Sequence, residues 1–131
     1  VLRNLGTKRA FIVHGADGLD EATVTGETRV TELREGRITT YNLDPVDFFG
    51  EIFAGEALTG GEAAANAQIT REILAGQDGP RRKIVVLNSA LAIVAGGKAE
   101  TAREGVRVAE ECLDSGAARK KLEALVELTR A

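Results

Sequence analysis

The sequence contains no methionine, a single cysteine and a single histidine among 131 residues. The lone cysteine, Cys112, excludes an internal disulfide and suits a reducing compartment, so a cytoplasmic location is expected. One cysteine with one histidine also excludes a structural zinc site of the usual four-ligand kind. Neither sign of charge is in excess, since 17 basic against 20 acidic side chains leave −3. The basic run Arg81-Arg82-Lys83 has no interleaved aromatics and is expected on the surface of a first helical turn. Neither nucleic acid nor a membrane is therefore expected as partner. Long apolar runs are missing as well. The longest, Ile84 to Gly97, is interrupted by Asn88 and Ser89 and falls short of the roughly 20 residues that span a bilayer. With no methionine, the opening Val1-Leu2-Arg3-Asn4-Leu5-Gly6 has the form of a last helical turn entering a glycine cap. The expectation is a fragment of a longer protein, residues 1–131 forming one incomplete α/β domain.

What is present is globular in composition, with 44% hydrophobic and 28% charged residues. Strands are expected mainly within residues 8–43 and helices mainly within 61–130. Arg9 to Gly15 is a short apolar run, expected as a strand buried on both faces in the manner of a parallel sheet. Its unpaired edge would then favour self-association. Ala22 to Gly26 has the pattern of a weak strand. Thr28–Arg34 and Arg37–Leu43 flank Glu35-Gly36, a hairpin signal; Val30 and Leu33 lie three apart, which allows for a bulge. Asp44-Pro45 opens a short turn through Phe48 and Phe49. Four helices follow. The first, from Glu62 to Ala75, carries Ile69 and Ile73 on one face. The second starts at Asp78-Gly79-Pro80 and has a buried body from Ile84 to Ala95. The third spaces Ala102, Val106, Ala109 and Leu113 along one face. Ser115 is expected to cap the fourth, with Ala118, Leu122, Leu125 and Val126 facing inward.

The loop Asp17-Gly18-Leu19-Asp20-Glu21 carries three carboxylates at the carboxyl end of the first strand, where α/β proteins place ligands. Adjacent Asp20 and Glu21 offer oxygen ligands to a hard cation such as magnesium. A solvated acidic turn, reversed at Asp17-Gly18, explains the same residues, and both possibilities stay open here. Thr59-Gly60-Gly61-Glu62 before a helix suits either phosphate or a plain cap with close backbone packing. His14 is either a general base or a hydrogen-bonded structural group. Asn66 and Asn88, inside apolar helices, are expected to be buried and bonded to loop backbone. Cys112 has no activating neighbour in sequence.

Several of these pieces occur together in one family. Arg3-Asn4-Leu5-Gly6, then Val13-His14-Gly15-Ala16-Asp17-Gly18-Leu19-Asp20-Glu21, then Thr25-Gly26-Glu27-Thr28-Arg29-Val30 resemble the carboxyl-terminal part of anthranilate phosphoribosyltransferases. Leu58 to Glu62, Asn66-Ala67, Gly79-Pro80-Arg81, Leu87 to Ala90 and Asp114 to Ala118 are similar to later landmarks in the same order. The resemblance implies a partial phosphoribosyltransferase/nucleoside-phosphorylase-like α/β domain, with one buried strand, a β-hairpin and about four following helices. It implies transfer of phosphoribosyl from 5-phosphoribosyl pyrophosphate to anthranilate with release of pyrophosphate, in tryptophan biosynthesis. It assigns Asp20 and Glu21 to magnesium, and it implies a homodimer for the intact protein. The family's Gly-Thr-Gly-Gly-Asp loop, which cradles pyrophosphate, is absent from this chain, so the isolated 131 residues are expected to be inactive. Two other readings stand beside it: a related nucleoside phosphorylase or phosphoribosyltransferase, and a non-catalytic interaction module on the same scaffold.

Overall fold

The computed structural model describes residues 1–130. A 3-10 turn, Leu2–Leu5, ends at Gly6, whose φ of 81° supplies the left-handed cap. Three strands follow: β1 (Arg9–Gly15), β2 (Thr28–Arg34) and β3 (Arg37–Leu43). They form one antiparallel sheet in the order β1-β2-β3. The helices are α1 (Val46–Phe49), α2 (Ala63–Leu74), α3 (Pro80–Ala95), α4 (Ala102–Asp114) and α5 (Ala117–Thr129), with a second 3-10 turn at Gly55–Leu58. The architecture is mixed α/β: a three-stranded antiparallel sheet and five helices.

The β2–β3 hairpin turns at Glu35 and Gly36, both with positive φ (49° and 80°), the combination a two-residue type I′ turn requires. Its register runs unbroken from Arg34↔Arg37 to Thr28↔Leu43, so the allowed bulge is absent. Val30 and Leu33 lie an odd number of residues apart because each is buried on a different face of the sheet. Val30 faces the helices, whereas Leu33 lies with Ala10, Ile12 and Ile38 along the segment Val1 to Asn4.

Two expectations for the sheet are corrected. β1 is not buried on both faces of a parallel sheet. It pairs antiparallel with β2, and alternation sends Phe11 and Val13 to the core but leaves Ile12 58% exposed on the far face. Only twelve residues separate β1 from β2, and they form a tucked loop rather than the helical crossover a parallel pair needs. Ala22 to Gly26 is not a strand: its backbone bonds to side chains instead of a ladder.

α3 divides the core. Leu87 and Leu91 pack with Ala22, Val24, Val30 and Leu43, while Val86 and Ala90 pack with Val106, Ala109 and Leu113 of α4. Rows at i and i+4 on two sides of one helix thus serve both the sheet and the next helix. α4 approaches closely because Gly105 has no side chain; a Cβ there would lie 2.6 Å from the Ala90 carbonyl oxygen. The start of α5 is corrected too. Gly116, left-handed at φ 73°, holds the cap position, and Ser115 Oγ donates back to Cys112 O at 3.3 Å. On the expected inner face of α5, Ala118 and Leu122 are half-buried, and Leu125 and Val126 are exposed.

Candidate metal-binding loop

The loop after β1 begins with a tight reversal. Gly18 N–H donates to Gly15 O and Gly15 N–H to Leu19 O, each at 2.9 Å, with Gly18 at φ 91°. Leu19 N–H donates to Asp17 Oδ1 at 3.1 Å, an Asx turn. The other oxygen of Asp17, Oδ2, accepts from Thr23 Oγ1 at 2.5 Å and from Thr25 Oγ1 at 2.6 Å. Burial alone would raise the Asp17 pKa, but the Thr23, Thr25 and Leu19 donors hold it below the ordinary carboxylate value. Asp17 therefore stays ionised and acts as the knot of the loop. Gly15 must be glycine for the same reason, since a Cβ would sit 2.5 Å from Asp17 Oδ1.

The second half of the loop is tied to the core. Thr28 Oγ1 accepts from Thr23 N–H at 2.9 Å, and Val24 O accepts from Phe53 N–H at 3.0 Å. Asn88 of α3 brackets Ala22, accepting from its N–H and donating to its carbonyl, both at 2.8 Å. The Asn88 amide also donates to Ile84 O at 2.9 Å, so the side chain is itself held. These bonds satisfy backbone groups that a loop would otherwise leave to water, which is how an irregular segment becomes fully buried.

Between the knot and the bracket, Asp20 and Glu21 are exposed, and no cationic side chain pairs with either among the described residues. Partial burial, then the charges of Asp20 and Asp17, push Glu21 above the ordinary glutamate value. Two adjacent hard oxygen donors that repel each other fit a divalent cation, which would remove the repulsion. No set of three His, Cys, Asp or Glu ligands gathers among the described residues, and Asp17 is spent on Thr23 and Thr25. Any cation here would complete its shell with water or a ligand.

The remaining sequence candidates separate. His14 stands exposed on the outer face of the sheet, opposite Arg29. The glycine pair before α2 permits close packing, with Glu62 at the cap position: Asn66 accepts from Gly61 N–H at 2.8 Å and donates to Gly61 O at 2.7 Å, and a Cβ at Gly60 would lie 2.6 Å from Asn66 Oδ1. Asn66 bonds loop backbone as expected but is exposed, not buried, because α2 lies at the surface. Cys112 is exposed and free. Arg81-Arg82-Lys83 is not a solvated run, since Arg82 is buried and pairs with Asp114 at 2.7 Å. The roles of the threonines at 23, 25 and 28, which bond Asp17 and the loop backbone, do not follow from the sequence pattern. Their signal was the alternation Thr23-Val24-Thr25 shortly after an aspartate, which also has the look of a strand.

The chain is 51% identical over 130 residues to the anthranilate phosphoribosyltransferase of Desulfosudis oleivorans, covering 98% of this chain and 38% of that protein. The crystal structure of anthranilate phosphoribosyltransferase from Thermus thermophilus superposes with a TM-score of 0.87 at 38% identity, over 99% of this chain and 38% of that one. The Saccharomyces cerevisiae enzyme in complex with PRPP and Mg gives 0.76 at 29% identity, over 86% and 33%. The chain thus spans little more than a third of the relatives' length. The family model described as glycosyl transferase family, a/b domain, matches residues 1–119. The chain belongs to that glycosyl transferase family.

Proposed function

We propose that this chain is part of an anthranilate phosphoribosyltransferase, whose whole protein transfers phosphoribosyl from 5-phosphoribosyl pyrophosphate to anthranilate and releases pyrophosphate. The observation that carries it is the loop after β1, which spends Asp17 on its own fold and leaves Asp20 and Glu21 free. Relatives near 50% identity bear that enzyme's name, and the yeast enzyme is seen with PRPP and Mg. Asp20 and Glu21 would hold the magnesium ion. When bound, magnesium supplies positive charge opposite the departing pyrophosphate. The chain's own contribution is placement: the Asp17 knot and the Asn88 bracket keep two carboxylates at one point of the sheet's edge. Placement matters because such a transfer is accelerated chiefly by orienting the reactants and stabilising the charge that develops. Little proton transfer need precede attack, since the aromatic amine of anthranilate is already neutral near pH 7.

The same reading places the whole protein in tryptophan biosynthesis, in the cytoplasm and as a homodimer, and leaves the isolated 131 residues inactive for want of the pyrophosphate-cradling loop. The open edge of β1 is where the isolated chain would self-associate. The test is an assay of the full-length protein with 5-phosphoribosyl pyrophosphate and magnesium. Product that requires anthranilate, with one pyrophosphate released per product, is expected. Phosphorolysis of a nucleoside with no response to anthranilate would contradict the proposal.

A further inference from the structure

The loop after β1 carries the carboxylates of Asp17, Asp20 and Glu21 but leaves only the last two free. Asp17 is exposed, and no cationic side chain pairs with it among the described residues. Neither burial nor an ion pair therefore withholds it from a cation; hydrogen bonds do. Oδ1 accepts from Leu19 N–H at 3.1 Å, and Oδ2 accepts from Thr23 Oγ1 at 2.5 Å and Thr25 Oγ1 at 2.6 Å. Three donors thus occupy most of the roughly four lone-pair sites of one carboxylate. The clasp is itself held in place. Thr23 Oγ1 accepts from Thr25 N–H at 3.0 Å, and Thr23 N–H donates to Thr28 Oγ1 at 2.9 Å. Thr23 is fully buried and Thr25 half-buried.

The number of carboxylates offered is what separates the two common hard cations. Magnesium binds through one or two, keeps several waters in a strict octahedron and leaves room for substrate phosphates. Calcium takes about six to eight oxygens in a flexible arrangement and makes use of each added carboxylate. Asp17, Asp20 and Glu21 together would suit the larger ion. Asp17 is not remote from the pair: after partial burial and the charge of Asp20, its charge also pushes Glu21 above the ordinary glutamate value.

We propose that Thr23 and Thr25 set the metal preference of this loop by holding Asp17 out of the coordination shell, which tilts the pair Asp20 and Glu21 toward magnesium and away from calcium. This rests on the magnesium reading of Asp20 and Glu21. The threonines are positioning residues that act through Asp17 and leave the ion itself to the two free carboxylates. A hydroxyl suits the task because it donates to a carboxylate without bringing charge. An arginine would hold Asp17 as firmly but would repel the cation beside it.

The test uses the full-length protein with Mn²⁺ as a paramagnetic probe, an ion that shares magnesium's octahedral oxygen coordination. Bound manganese is measured by electron paramagnetic resonance, and the magnesium and calcium concentrations that displace half of it are read separately. Only manganese lost in the double variant Asp20→Asn, Glu21→Gln is assigned to the loop. Thr25→Val removes the hydroxyl at nearly constant volume. It should move the ratio of the two midpoints toward calcium by about threefold or more, because the larger ion uses a third carboxylate more fully. Thr25→Ser, which keeps the hydroxyl, should match the wild type, and Thr25→Val combined with Asp17→Asn should show no shift. An unchanged ratio in Thr25→Val, with manganese still bound at the loop, would overturn the inference and leave the magnesium reading standing. So would a shift that persists once the Asp17 charge is removed. Manganese binding that the Asp20, Glu21 double variant does not reduce would instead overturn the magnesium reading, and the inference with it. Should Thr25→Val fail to fold, Thr25→Ala, which also lacks the hydroxyl, takes its place.

Discussion

Ala16 to Gly26 contains no helix or strand, yet Ala22, Thr23 and Val24 in it are completely buried. α5 is regular over thirteen residues and buries none of them; Leu128 is 77% exposed. The contrast lies in where backbone groups find partners. α5 satisfies its own amides along its length and asks nothing of the rest of the molecule. The loop satisfies its amides with side chains drawn from its own turn, from β2 and from α3. Each of those bonds fixes the loop to something else, so an irregular segment ends up more firmly placed than a regular one. The magnesium site proposed at Asp20 and Glu21 would lie on the irregular segment, which can hold two like charges side by side.

Two substitutions separate the loop from α5 by their effect on stability. Asn88→Ala removes the acceptor for Ala22 N–H and the donor for Ala22 O, leaving both with no partner beside a fully buried residue. Urea unfolding should show a loss of about 2–4 kcal/mol. A loss near zero would mean that water replaces the bracket and that the loop is not fixed by α3. Leu128→Lys, by contrast, changes a side chain already in solvent, and its effect should stay within about 0.5 kcal/mol. A larger loss would show that α5 is covered by something in the protein as it is purified.

Much of this architecture was legible from residue order. Glu35-Gly36 located the hairpin because a two-residue turn with positive φ leaves few alternatives. α3 and α4 were readable from their apolar spacing and from the glycines and proline at the ends of α3. The failures share one cause. Phe11-Ile12-Val13 and Ala22-Thr23-Val24 are apolar runs whose burial depends on what lies across from them, which local pattern does not carry. Ile12 is exposed because the far face of the sheet is only partly covered, and Thr23 is buried because Asp17 and Thr28 meet it. Arg82 misled in the opposite sense, since its charge suggested solvent while Asp114, thirty-two residues away, draws it inward. In the loop, the pair Asp20 and Glu21 stood out in the sequence, but the division of labour between them and Asp17 did not. Three carboxylates within five residues look alike until the threonines that claim one of them are placed.

That division of labour is the central claim, and the double variant Asp20→Asn, Glu21→Gln in the full-length protein tests it most directly. Turnover should fall by about 10²–10³, the cost of losing a charge interaction made in the transition state. Thermal stability without magnesium should hold or rise slightly, because the substitution removes a partly buried charge at Glu21 together with its repulsion by Asp20 and Asp17, the causes that push Glu21 above its ordinary value. A variant that keeps wild-type turnover at limiting magnesium, or one that loses turnover only because it unfolds, would contradict the account.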